Sequence, residues 1–210
     1  MQVDPERLAY WFFRLNGFFT IPNLIVHAEG AQPDGSYGQR TEIDVLGVRF
    51  HHRKENADRP MQDFELFAAE QRTQVVLCEV KPRAKINGAW TNPALKNLEK
   101  VLLTGGFVPG ASVDAVAAKL YECGVWWDDS ISISMICLAT ECSRSLRQRF
   151  PAVHQLTWAH HVLPFIYNRF REYANEKRLH EQWENEGKLL FDLAMQNDEA
   201  AFIQAVLKSN

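Results

Sequence analysis

Two short segments of this chain combine the apolar pattern of a buried β-strand with charged residues. The first, residues 41–48, carries Asp44 inside an apolar run, and the second, residues 75–82, carries Glu79 and Lys81. Charged groups in strands that enter a protein core are costly unless they are paired or bind a metal ion. Laid side by side, the two strands would bring two carboxylates and an ammonium group together at one edge of a sheet.

The pattern before these strands predicts a helix from about Asp4 to Asn16. Asp4 is a suitable N-cap, Pro5 suits the first helical position, and Gly17 ends the helix. The alternation of apolar and polar residues then predicts strands, and 3.6-residue spacing predicts helices. Strands are predicted at 18–27, 40–50, 73–81, 130–139 and 155–158. Helices are predicted at 63–71, 92–103, 112–123, 161–177 and onward from about 179.

This order of elements predicts an α/β fold in which a mixed central β-sheet is flanked by helices. Neighbouring strands along the chain favour hairpins, and the helices before the fourth strand favour a crossover connection. We expect one domain over residues 1–178. Residues 179–210 are expected to form a C-terminal helical extension that packs on the domain or on a dimer partner.

The composition indicates a globular protein with no overall basic character. Of its 210 residues, 46% are hydrophobic and 23% are charged, and the formal net charge is -3. A nucleic-acid site would therefore have to be a local basic patch. The arginines at 144, 147 and 149 form one such cluster, which suits either a nucleic-acid backbone or an ordinary solvated loop.

The cysteines and the apolar runs favour a reducing cytoplasm and no membrane span. The four cysteines form no CxxC pair, and two of them lie in apolar runs where a free thiol behaves as a small hydrophobe. No apolar run approaches the roughly 20 residues that a membrane span needs.

Strand geometry places Glu79 and Lys81 on the same face of their strand, because they are two residues apart. If Asp44 lies in register on the neighbouring strand, its carboxylate can approach that of Glu79. Two close carboxylates gain by sharing a hard cation such as Mg²⁺, and the Val80 carbonyl is a natural further ligand. Lys81 would orient or deprotonate a water molecule, or neutralise charge that develops on a phosphate.

Further residues are candidates for supporting roles around this cluster. Glu6, in the first helix, could make a second-shell or water-mediated contact, although an acid at that position also suits the helix dipole. Arg40, Arg83 and Lys85 flank the cluster and could bind phosphates. Glu42 shares the strand face of Asp44, so it is either an alternative ligand or a solvated residue at the strand edge.

The arrangement resembles the PD-(D/E)xK nuclease superfamily, whose shared core is αβββαβ. Asp44 corresponds to the lone aspartate of that motif, and the segment from Glu79 to Lys81 corresponds to its ExK part. Glu6 corresponds to the first-helix acid of many members, including archaeal Holliday-junction resolvases and many restriction endonucleases. The resemblance covers roughly residues 3–140.

The resemblance implies a restriction-endonuclease-like fold and Mg²⁺-dependent hydrolysis of phosphodiester bonds, usually in DNA, with RNA as the other substrate considered. Mn²⁺ is expected to substitute for Mg²⁺. A homodimer would suit double-strand cleavage, which needs two sites. The long interval between the two motif strands implies an insertion around residues 51–71, which would contact substrate or decorate an edge of the sheet.

Two other interpretations of the same residues remain open. The charged cluster could be a salt bridge on an exposed face of the sheet, since strands carry polar residues outward. The fold could also serve as a nucleic-acid-binding or protein-interaction module without catalysis, in a defence or repair system, and the acidic C-terminal segment fits this use.

Overall fold

The computed structural model describes residues 3–27, 39–56 and 58–208. In this part of the chain a six-stranded mixed sheet is covered by helices on both faces. The strands are β1 (Phe19–His27), β2 (Gln39–Arg49), β3 (Thr73–Val80), β4 (Val125–Trp127), β5 (Ile131–Ala139) and β6 (His154–Thr157). The helices are α1 (Pro5–Leu15), α2 (Glu65–Ala68), α3 (Asn97–Gly105), α4 (Val113–Cys123), α5 (Arg144–Arg149), α6 (Leu163–Glu172), α7 (Ala174–Lys177), α8 (Asn185–Gln196) and α9 (Glu199–Leu207).

The sheet has β3 near its centre and β1 at one edge. β1, β2 and β3 are antiparallel to their neighbours, whereas β5 runs parallel to β3. The first half of β5 pairs with β4 and the second half pairs with β6. Pro22 is accommodated in β1 because an edge strand has one side that forms no ladder hydrogen bonds.

Helix α1 begins and ends as the sequence predicts. The Asp4 carboxylate accepts hydrogen bonds from the backbone N–H groups of Glu6 (2.9 Å) and Arg7 (3.2 Å), and Pro5 occupies the first turn. These bonds satisfy N–H groups that have no partner within the helix. The apolar face of α1 then packs onto the sheet, which fixes the position of Glu6 relative to β2 and β3.

Each face of the sheet carries its own hydrophobic core. On one face α1 packs with α6, α8 and α9, and Phe12, Ile166 and Phe191 are members of this core. On the other face α3 and α4 cover the sheet, with Leu98 and Leu120 among the buried residues. The segment predicted as a C-terminal extension therefore contributes α8 and α9 to the core that also holds α1.

The predicted mixed α/β sheet with flanking helices is confirmed, but several individual elements differ from prediction. The single helix predicted over 92–103 is wrong. A short 3-10 helix, Pro93–Leu95, precedes α3, because Lys96 between them takes a left-handed conformation with φ of 52°. Strand β4 was not predicted, since three residues are too few to show a period.

The C-terminal half also contains differences from prediction. Instead of one helix over 161–177, a π-helix, Trp158–Val162, leads into α6, and α7 follows a break at Tyr173. The arginine cluster after β5 lies on a short helix, α5, which buries Leu146 and exposes its three arginines. Within the described ranges, no helix is both long and apolar enough to cross a bilayer.

The insertion around 51–71 is tied to the body of the protein by buried ion pairs. Asp63 pairs with Arg49 at 2.5 Å, with Arg53 at 3.1 Å and with Arg169 at 3.0 Å. Glu55 pairs with Arg53, Arg169 and Lys177. Because Arg169 and Lys177 belong to α6 and α7, these contacts fasten the insertion to the C-terminal helices, and they give it a structural role.

Candidate active site

Asp44 lies at the point where β2 and β3 stop pairing. The last pair in the ladder is Val45 with Cys78, so the same register sets Asp44 opposite Glu79. The Asp44 side chain is only 5% exposed. One of its oxygens, Oδ2, accepts a hydrogen bond of 2.6 Å from the backbone N–H of Val80. The carboxylate therefore satisfies an N–H group that has left the ladder, and it is held against the end of β3.

Lys81 joins the two carboxylates. Its Nζ donates a hydrogen bond of 2.9 Å to Asp44 Oδ2 and lies 3.2 Å from Glu79 Oε2. Glu79 is 3% exposed, so the cluster is a buried ion-pair group, and the interpretation as a salt bridge on an exposed face is wrong. Within the described chain, Glu79 Oε2 has no hydrogen-bond partner of normal geometry. Two carboxylates thus share one ammonium group. The Glu79 Oε2 atom can accept a further hydrogen bond or bind a cation.

Burial and charge act differently on the two ends of the pair. Burial raises the pKa of Glu79, and the nearby charge of Asp44 raises it further, although Lys81 opposes both effects. Burial alone would lower the pKa of Lys81, but the hydrogen bond to Asp44 and the charge of Glu79 outweigh it and raise the pKa. The two carboxylates therefore favour the protonated form of Lys81 for as long as it contacts both of them.

A cavity of about 520 Å³ opens beside Lys81 and brings the first helix into the site. Burial and the negative charges of Asp44, Asp4 and Glu42 raise the pKa of Glu6, which shows that the carboxylates of α1 and β2 are electrostatically coupled. Glu6 therefore faces the same space as the ammonium group. The residues that line the cavity are Asp4, Pro5, Glu6, Val80, Lys81, Pro82, Thr140 and Trp158.

Trp90 also contacts this cluster, and no pattern in the sequence predicts this contact. It lies on the short 3-10 helix Gly88–Trp90 and is 2% exposed. Its indole N–H favours the charged form of the Glu79 carboxylate. This interaction offsets part of the rise in the pKa of Glu79 that burial causes. Among the described groups, Trp90 Nε1 has no hydrogen-bond partner of normal geometry. The Trp90 indole N–H therefore lies near the buried Glu79 carboxylate, whose Oε2 also has Lys81 Nζ at 3.2 Å. A tryptophan in a loop is indistinguishable by sequence from one that simply packs.

The donor set fits a hard divalent cation. Asp44 and Glu79 offer carboxylate oxygens, the unsatisfied Glu79 Oε2 can accept a ligand, and the Val80 carbonyl lies at the end of the same strand. In the part of the chain that the structure describes, no group of three His, Cys, Asp or Glu side chains is arranged to hold a metal. Mg²⁺ commonly takes one or two carboxylates and completes its shell with water and phosphate oxygens.

The predicted phosphate-binding residues lie apart from the cluster. Arg83 is exposed and forms an ion pair with Glu141, to which it is also joined by a backbone bridge. Lys85 is exposed and lies on the other side of the segment that follows β3. The side chain of Arg40 lies outside the described residues. Glu42 is half-buried on β2 and acts on Glu6 through its charge.

The comparisons with known proteins assign this chain to no family. Family models, curated proteins and solved structures were each searched with the chain, and none matches. The assignment of a function therefore rests on the site itself.

Proposed function

We propose that this protein is a metal-dependent nuclease that hydrolyses phosphodiester bonds, most often those of DNA. The observation that carries the proposal is the pair of buried carboxylates, Asp44 and Glu79, bridged by Lys81 at the end of two strands. Lys81 of this cluster lines a cavity of about 520 Å³ that Glu6 also lines. Burying two acids without function is costly, which favours a role in which they share a cation.

The residues of the chain would divide the work as follows. Asp44 and Glu79 would hold Mg²⁺, with Mn²⁺ as a substitute, and Val80 would offer its carbonyl. When bound, the metal supplies polarisation of a phosphoryl oxygen and a more acidic water molecule. Lys81 would donate hydrogen bonds to the attacking water or to a charged phosphate oxygen, or would take a proton from that water. Glu6 orients water from the far side of the cavity.

The test is cleavage of DNA and RNA by the full chain in the presence of Mg²⁺ or Mn²⁺. We expect Glu79→Ala and Lys81→Ala to abolish cleavage while circular dichroism shows an intact fold. A matched control is the exposed pair of Lys119 and Glu122, with Nζ and Oε2 at 2.6 Å, whose alanine variants should cleave normally. Cleavage that persists in both Glu79→Ala and Lys81→Ala would contradict these roles.

One observation favours a second candidate, a module that binds nucleic acid or a protein partner without catalysis. Lys81 already contacts both carboxylates, so the pair is partly neutralised by the protein itself. Calorimetric titration with Mn²⁺ separates the two candidates. If the protein is a nuclease, the unaltered chain should bind Mn²⁺, and the Asp44→Asn and Glu79→Gln variants should not. If it is a binding module without catalysis, none of these three proteins should give a heat of Mn²⁺ binding.

A further inference from the structure

A second concave surface lies between the segment that follows β3 and α5. We name it the α5 groove. It has a volume of about 220 Å³, and buried apolar residues, including Ala84, Ile86 and Leu146, form its floor. Polar and cationic side chains line the rest: Lys85, Thr91, Ser143, Ser145 and Arg149.

The two segments that build the groove are strongly basic in a chain whose net charge is negative. Residues 82–98 contain Arg83, Lys85 and Lys96 and no Asp or Glu. Residues 142–171 likewise contain several arginines, three of them at 144, 147 and 149, and no Asp or Glu. The net charge of the whole chain is -3, so these two segments differ from the rest of the chain, and Lys85 and Arg149 are the cations that they bring to the groove. Such segregation is the electrostatic signature of a surface that binds a polyanion.

The side chains of the groove also present hydrogen-bond donors. Lys85 and Arg149 are exposed, and the Arg149 guanidinium lies 5.0 Å from the centre of the Phe150 ring, which supports it against the floor. The hydroxyls of Ser143 and Ser145 are 2.9 Å apart. Ammonium, guanidinium and hydroxyl groups are the side chains that proteins use to contact phosphate oxygens. The apolar floor offers a place for a sugar ring.

The groove lies within reach of the candidate active site. Ala84 donates its backbone N–H to Glu141 at 3.1 Å, so the segment after Lys81 runs along the end of β5 into the groove. Lys85 is the fourth residue after Lys81, and a fully extended chain covers at most about 3.6 Å per residue. A nucleic-acid strand bound at Lys81 can therefore contact Lys85 within a few nucleotides.

We propose that the α5 groove binds the phosphate backbone of a nucleic acid, at phosphates a short distance from the bond positioned at Asp44, Glu79 and Lys81. The inference rests on the proposed nuclease function for its choice of ligand. Lys85 and Arg149 bind phosphate oxygens, and the hydroxyls of Ser143 and Ser145 add hydrogen bonds to the same strand.

The experiment measures binding separately from cleavage. Fluorescence anisotropy with a labelled duplex DNA, in EDTA so that no cleavage occurs, gives the affinity of the full chain between about 50 and 200 mM salt. We expect Lys85→Gln combined with Arg149→Gln to weaken binding by about tenfold or more. The slope of log affinity against log salt should fall by about 0.9 for each lost contact. A matched RNA duplex shows which nucleic acid binds better.

The control is the double variant Arg178→Gln with Lys208→Gln, which makes the same change of charge at exposed positions elsewhere. It should bind as the unaltered chain does. Equal weakening in the two double variants, an unchanged salt slope, or no DNA binding by the unaltered chain at low salt would overturn the proposal. If DNA binds through the groove but is not cleaved in Mg²⁺, only the proposed nuclease function is contradicted. If the groove variants cleave DNA as the unaltered chain does, only the proposed role of the groove is contradicted.

Discussion

Glu79 and Trp90 form an incomplete contact inside the candidate site. A buried carboxylate oxygen and a buried indole N–H lie beside each other, and neither has a normal partner among the described residues. Buried polar groups of this kind are rare in native proteins, and they concentrate where a ligand completes the hydrogen bonding. Because the indole N–H acts on the Glu79 carboxylate, Trp90 is placed to orient Glu79.

We expect Trp90→Phe to weaken Mn²⁺ binding by about tenfold, because groups that orient a metal ligand are typically worth 10- to 100-fold in affinity. Calorimetric titration measures the change. Trp11→Phe is the matched control, since Trp11 is also fully buried with an unsatisfied Nε1 but packs against Trp183. Equal loss of affinity in the two variants would indicate a general packing effect and would remove Trp90 from the site.

Glu6 predicts a dependence of stability on pH. Its pKa is raised in the folded protein by burial and by neighbouring carboxylates, so the unfolded chain ionises first as the pH rises. Stability is therefore lost between the ordinary value of 4.5 and the raised pKa of the folded state, and the loss remains at higher pH. We expect Glu6→Gln to raise the melting temperature at neutral pH, with the difference disappearing below about pH 4.

A suitable control for Glu6 is Glu199, which follows the N-cap Asp198 of α9 as Glu6 follows the start of α1. An acid in a first helical turn normally stabilises the helix through its dipole, by about 0.3–1 kcal/mol. Glu199→Gln should therefore lower the melting temperature slightly at neutral pH. Scanning calorimetry over a pH series would show whether the two variants shift in opposite directions, as expected.

At the scale of elements, the insertion between β2 and β3 depends on its buried charges. Asp63 offsets the charges of Arg49 and Arg169, and both arginines are nearly inaccessible to water. We expect Asp63→Asn to destabilise the protein by about 3–5 kcal/mol, because it leaves buried guanidinium groups short of a partner. Urea unfolding gives the change in free energy.

The exposed pair of Arg59 and Glu172 provides the comparison for this prediction. Its atoms lie 3.6 Å apart and its side chains are about half exposed, at 57% and 49%. Glu172→Gln should cost no more than about 1 kcal/mol. If Asp63→Asn cost as little as this exposed pair, the insertion would not depend on its ion pairs.

Sequence patterns captured some of these elements and missed others for physical reasons. Asp44, Glu79 and Lys81 were identifiable because charge is conspicuous inside an apolar strand. Arg169 is as buried as they are and the Asp63 side chain is only 9% exposed, yet a loop and an amphipathic helix normally carry charges, so neither was conspicuous. The break at Lys96 could not be predicted either, since a left-handed lysine has no signature in the sequence.

At the scale of the whole molecule, the C-terminal helices and the first helix share one hydrophobic core, so we expect them to unfold together. Gly187 in α8 lies directly against Trp11, and a Cβ at this position would approach the Trp11 ring to 2.0 Å. We expect Gly187→Ala to destabilise the entire protein by about 1–3 kcal/mol through overpacking. Thermal unfolding followed by circular dichroism should shift as a single transition.

Gly110→Ala is the control for this substitution, because a Cβ there would meet nothing within 4 Å. It should leave the melting temperature almost unchanged. A two-step transition in Gly187→Ala, with most of the signal melting at the original temperature, would mean that α8 and α9 unfold independently of the sheet.

The dependence of α1 on the C-terminal helices has a consequence for protein synthesis. The hairpin of β2 and β3, which carries Asp44, Glu79 and Lys81, leaves the ribosome early. The core between α1 and the sheet is completed only when α6, α8 and α9 are made, and Trp158 of the cavity wall is also made late. Because chains begin to fold as they emerge, a nascent copy would hold the strand charges without the finished cavity. A nuclease built in this way would stay inactive beside the messenger RNA that encodes it, and it would become competent only after its last helices had folded.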